Sequence, residues 1–124
     1  MKNFYNFRQN NSGGRFEAPA VNVLVEAGSL DAACIRIAPH VTLCGDSGLY
    51  ADYDVCGCCP CCGHRWTKPW NDEPETRERL EYLFAQNLEW MGGINLAVVK
   101  ADMTLVVADT REKLDELKRY VLED

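Results

Sequence analysis

Five of the seven cysteines fall between Cys56 and Cys62, in the string CGCCPCCGHRW that runs to Trp66. Three overlapping C-x2-C pairs stand there: Cys56 with Cys59, Cys58 with Cys61, and Cys59 with Cys62. Zinc is held by four thiolates or imidazoles in a tetrahedron, and a C-x2-C turn aims two sulfurs at one ion. Gly63 follows Cys62 as in zinc knuckles, and His64 adds an imidazole. His40 and Cys44 stand four residues apart, one helical turn, and offer a second half-site. Two ligand sets follow. In one, Cys59 and Cys62 join His40 or Cys44 and a further local ligand such as Cys61. In the other, Cys56, Cys59, Cys62 and His64 close the loop on itself. The first set is preferred, because distant ligands anchor a loop to its domain. The expected cofactor is zinc.

Other chemistries lack their residues. A zinc deaminase needs a Glu two positions after a ligand His, but Thr42 and Trp66 stand there. HExxH, GxSxG, the P-loop and GxGxxG are absent. The cysteine spacing fits neither familiar ferredoxin pattern nor a lone thioredoxin-type dithiol. The expectation is therefore a closed, structural metal site without catalysis. Beside it, Arg65, Trp66, Lys68 and Trp70 put two bases and two indoles within six residues. Trp and Arg are enriched at binding hot spots, so these four are the candidate partner-binding surface. In the competing structural reading, Trp66 roofs the loop and Trp70 packs on the domain.

Charge narrows the partner. The 124 residues carry a net charge of −6. Residues 71–90 hold six acids against two bases, and residues 101–124 hold seven against four. An acidic half disfavours nucleic acid, which is gripped through clustered Lys and Arg. No apolar run approaches the ~20 residues of a membrane helix. An odd cysteine count, and no apolar stretch in Met1–Asn6 to serve as a signal peptide, point to reduced thiols in a cytoplasm.

The elements that must position these groups are readable in part. Phe4–Phe7 and Val21–Glu26 read as strands, with Gln9–Gly14 as a turn and Arg15–Glu17 as a returning strand. Ser29 caps a helix over Leu30–Ala38 that carries Cys34 on its apolar side. Residues 40–71 lack periodicity apart from one short strand at Leu49–Val55, and a metal is the simplest device to organise them. Asp72 or Glu73 starts a helix whose Leu80, Leu83, Phe84, Leu88 and Met91 share a face. Ile94–Val99 and Leu105–Ala108 form a hairpin across Lys100–Met103. A last helix follows Asp109 or Thr110, with Leu114, Leu117 and Val121 inward. The expected architecture is a single α+β domain over residues 1–124. It is a small, mainly antiparallel sheet with two or three helices on one face and a cysteine-rich metal-binding loop.

Two segments taken together resemble a known family. Phe4-Tyr5-Asn6-Phe7-Arg8-Gln9-Asn10-Asn11-Ser12-Gly13-Gly14-Arg15-Phe16 and Cys59-Pro60-Cys61-Cys62-Gly63-His64-Arg65-Trp66 resemble a family of small uncharacterised tailed-phage proteins. Its members look like F-Y-x-F-x-Q-N-N-S-G-G-x-F, then a strand, a helix and C-x-C-C-G-D-R-W. The order matches over residues 4–70. His64 departs from the usual Asp, and Cys56 and Cys58 are additions. The resemblance implies a phage protein in the cytoplasm of an infected bacterium, and it implies no particular activity. The expected function is a small zinc-binding accessory protein that binds a host or phage macromolecule, such as an inhibitor of a host enzyme or defence system. The alternatives are a nucleic-acid-binding zinc module and a small-ligand-binding protein or enzyme.

Overall fold

The centre of the molecule is a pair of parallel strands with no polar face. The computed structural model describes residues 2–9, 20–41, 66–67, 69, 71–90 and 93–123. In chain order the elements are β1 (Phe4–Gln9), β2 (Asn22–Glu26), α1 (Leu30–Ile37), β3 (Trp66–Thr67), α2 (Arg77–Phe84), β4 (Glu89–Trp90), β5 (Gly93–Ile94), β6 (Leu96–Val99), β7 (Leu105–Val107) and α3 (Arg111–Leu122). The fold is α+β, with a mixed sheet of four main strands extended at one edge by the two-residue β3, in the order β3-β1-β2-β6-β7. β2 and β6 pair in parallel, Val23 opposite Ala97 and Val25 opposite Val99. The β1–β3, β1–β2 and β6–β7 pairs are antiparallel. β4 and β5 form a separate two-stranded ribbon.

The expectation of helices on one face is corrected: they cover both. Val23, Val25, Ala97 and Val99 face α1, where they pack with Tyr5, Phe7, Ala33, Cys34, Ile37 and Trp66. Leu24, Leu96 and Val98 face the other way, onto Leu80, Leu83 and Phe84 of α2 and Leu114, Leu117 and Val121 of α3. The reason lies in the strand sequences. Val23-Leu24-Val25 and Leu96-Ala97-Val98-Val99 are apolar at consecutive positions. Alternating faces of a strand are then both apolar, and both must be removed from water. Each fully buried Val or Leu contributes ~1.5–3 kcal/mol, so a bare face would forfeit several such terms.

The caps explain the helix limits. Ser29, Thr76 and Thr110 each accept a hydrogen bond from a backbone amide in the first turn. α2 starts at Arg77, later than the expected Asp72 or Glu73, because the Glu75 amide donates to the Phe4 carbonyl at 2.8 Å and holds that stretch extended along β1. It ends at Phe84, since Leu88 beyond it accepts from the Asn95 amide at 2.8 Å and turns the chain toward the ribbon. The Ile94–Val99 strand is divided at Asn95, for a reason given below. The return strand expected at 15–17 and the short strand expected at 49–55 lie outside the described residues. No helix among the described residues is long and apolar enough to cross a membrane.

Leu24 is completely buried in the central strand. Leu24→Ala is expected to cost ~2–5 kcal/mol, read as a lower urea midpoint with an unchanged slope.

Candidate functional site

A row of polar side chains lies where β1 ends and β2 and β6 begin. An open cleft of about 270 Å³ lies there between the sheet and α2. The sheet contributes Arg8, Asn22 and Asn95. The helix and the turn after it contribute Arg79, Tyr82, Leu83, Gln86 and Asn87. Two guanidiniums and four carboxamides line it, with no carboxylate among these residues, on a chain whose net charge is −6.

The amides are held in a chain along the sheet. Asn6 Nδ2 donates to Asn22 Oδ1 at 3.4 Å, and Asn22 Nδ2 donates to Asn95 Oδ1 at 3.1 Å. The Asn22 backbone amide donates to the Asn95 carbonyl at 2.9 Å. These bonds break the apolar run at Asn95 and split β5 from β6. Asn22 and Asn95 are 5% and 6% exposed. Asn95 uses its carbonyl and Oδ1 on Asn22, while its Nδ2 makes no hydrogen bond among the described residues. Asn6 Oδ1 is the one buried side-chain polar atom without a partner among them. A buried acceptor left unpaired in this way costs ~1–3 kcal/mol. On the helix side, the Arg79 guanidinium sits 5.0 Å from the centre of the Tyr82 ring, which is 55% exposed. Burial pushes the Glu75 carboxyl up, and the charge of Arg79 opposes that shift.

The residues singled out from the sequence fall elsewhere. Cys44, Cys56, Cys59, Cys61, Cys62, His64, Arg65, Lys68 and Trp70 lie outside the described residues. No group of three or more metal-ligating side chains occurs among the described ones. His40 and Trp66 are described, and they flank the cysteine-rich segment in the chain. His40 Nε2 lies 3.1 Å from the Met103 carbonyl at the tip of the β6–β7 hairpin. Met103 has a φ of 75°, in the left-handed region. A carbonyl can only accept, so Nε2 is the donor in this pair. Trp66, expected on the contact surface, is 4% exposed and packs in the α1-side core. Its pairing with Gln9 of β1 places it at the sheet edge, where an apolar ring closes the layer.

A family model described as "Domain of unknown function (DUF7296)" matches residues 2–112. The chain belongs to the DUF7296 family. No curated protein and no solved structure matches it. The DUF7296 match takes in the whole cleft, His40 and Trp66, and it stops at the start of α3.

Beyond that match, Tyr120 organises the opposite end of the DUF7296 sheet. Its hydroxyl donates to the Glu26 carboxylate, which also accepts from the Ala101 amide at 3.2 Å. Lys2 and Lys100 place their ammonium groups 4.0 and 4.7 Å from the ring centre. Lys2 Nζ also donates to the Tyr120 carbonyl at 2.9 Å. A second cleft nearby includes Lys2, Glu26 and Arg36, but these groups are already committed, since Arg36 donates to the Glu26 carbonyl. This end ties β1, β2 and the β6–β7 hairpin to α3 and is structural in character.

Burial, then the hydrogen bond and negative charge of Glu26, push the Tyr120 phenol up to about 12. The unfolded chain ionises this group near its ordinary value of 10.0. The unfolded state therefore loses its proton first, and stability falls as pH rises from the ordinary value toward 12. Tyr120→Phe should remove that part of the alkaline slope. Urea titrations at several alkaline pH values check this.

Proposed function

We propose that this chain is a small zinc-organised binding protein of a bacteriophage. It has no catalysis of its own and acts on a protein partner in the cytoplasm of the infected bacterium, with inhibition of a host enzyme or defence system as its effect. The observation that carries this reading is the density of thiols, five within Cys56–Cys62, in a segment inserted between α1 and β3. A roughly 30-residue connection with little regular pattern is uncommon in a compact domain, and a metal supplies the missing order.

The flanks of the insertion support it. His40 is oriented by the Met103 carbonyl with Nδ1 left to bind, as ligating histidines are oriented by a hydrogen bond at the other ring nitrogen. Trp66 anchors the far end of the insertion in the core. Cys59 and Cys62, with His40 or Cys44 and one of Cys56, Cys61 and His64, would hold the ion. The ion supplies folding energy to the loop rather than a reactive water. With Trp66 buried, the contact surface narrows to Arg65, Lys68 and Trp70. The acidic C-terminal half disfavours nucleic acid as the partner.

Elemental analysis of protein purified without chelator is expected to give about one zinc per chain. Cys59→Ser with Cys62→Ser should abolish it. A metal-free chain with freely titratable thiols would overturn the proposal. Arg65→Ala with Trp70→Ala should retain the metal and lose the partner that co-purifies with the wild type.

A further inference from the structure

We infer that the cleft between α2 and the sheet is a binding site for a free nucleoside monophosphate. The first ground is charge. Arg8 and Arg79 reach the cleft from opposite sides, and none of the residues lining it is acidic. Guanidinium pairs phosphate oxygens in a fixed, two-pronged geometry; Arg79 supplies that pairing, and the charge of Arg8 adds to the attraction for a dianion. The rest of the chain is acidic, which repels a long polyanionic strand and favours a small one-phosphate ligand.

The second ground is the amide floor. Asn22 and Asn95 are both more than nine-tenths buried and locked by their mutual bonds. Asn95 Nδ2 lines the cleft and has no partner among the described residues. Gln86 Nε2 donates to the Tyr82 carbonyl, leaving its Oε1 as an acceptor at the rim. Fixed donors beside fixed acceptors are what a nucleobase edge requires, and Asn and Gln are the usual amide partners of adenine. The third ground is the flat face of Tyr82, largely exposed and backed by Arg79 at 5.0 Å. Bases stack on such aromatic and guanidinium planes. At about 270 Å³, the cleft lies just below the usual range of ligand sites, ~300–1,000 Å³. That suits one nucleotide and not a dinucleotide.

The test is calorimetric titration of the full chain with AMP, GMP, CMP and UMP, with inorganic phosphate and a short 5′-phosphorylated oligonucleotide as further arms. At least one mononucleotide should bind in the micromolar range, with phosphate alone at least ~10-fold weaker. Arg79→Gln, at an exposed helix position, should weaken binding ~10- to 100-fold. Asn95→Asp, close to isosteric but carrying a charge on the floor, should weaken it at least as much, and Tyr82→Ala ~5- to 100-fold. Affinity should rise from about pH 5 to about pH 7 as the phosphate takes its second charge, near ~6. Four results would each overturn the assignment. They are no mononucleotide binding at millimolar concentration, phosphate binding as tightly as any nucleotide, the oligonucleotide binding more tightly than any mononucleotide, or unchanged affinity in Arg79→Gln, whose folding is checked by its melting temperature.

Discussion

The parallel pairing of β2 with β6 places seven consecutive-type apolar residues, Val23–Val25 and Leu96–Val99, at the centre of the sheet. An antiparallel hairpin could leave one face to water. Two adjacent strands that are apolar on both faces cannot. α1 must cover one side, and α2 with α3 the other. Parallel pairing also demands a long crossover, because the chain has to return to the end where it started. Everything from α1 to β5, including the cysteine-rich insertion, lies within that crossover.

This constraint also decides where polar groups collect. With the strand interiors sealed, side-chain hydrogen bonding is concentrated at the ends of the strands. At one end, Tyr120, Glu26, Lys2 and Lys100 satisfy one another around a single ring. At the other, the Asn6–Asn22–Asn95 chain leaves an amide donor and a buried acceptor unmatched among the described residues. A self-satisfied cluster holds a fold together, whereas an open donor can be used by a ligand. The two ends are therefore physically different, although each carries a cleft of similar size.

The cysteine-rich insertion and the amide cleft are features of different kinds. The insertion's chemistry is local, a matter of thiol spacing, and it meets the described fold at His40 and Trp66. The cleft is assembled from β1, β2, the β5–β6 junction and α2, and no two of its sheet residues are near in sequence. Arg8, Asn22, Arg79 and Asn95 were not singled out by spacing. The one local signal was the polar residue interrupting an apolar run: Asn22 beside Val21 and Val23, and Asn95 between Ile94 and Leu96. Such a residue inside a strand must find a partner, and each of these is the other's.

Local rules determined much of the chain. Ser29 and Thr110 as caps, the inward Leu114, Leu117 and Val121, the β6–β7 hairpin and the buried Cys34 all follow from spacings of a few residues. The absence of known catalytic motifs and the crowding of thiols were equally plain in the sequence. Tertiary contact decided the rest. The Phe4 carbonyl delayed the start of α2, and sheet-edge pairing drew Trp66 inward. The placement of helices on both faces, and of Arg8 and Arg79 around one cleft, required the parallel β2–β6 pair. That pair joins residues 74 apart through a crossover, and no short window of sequence contains both partners.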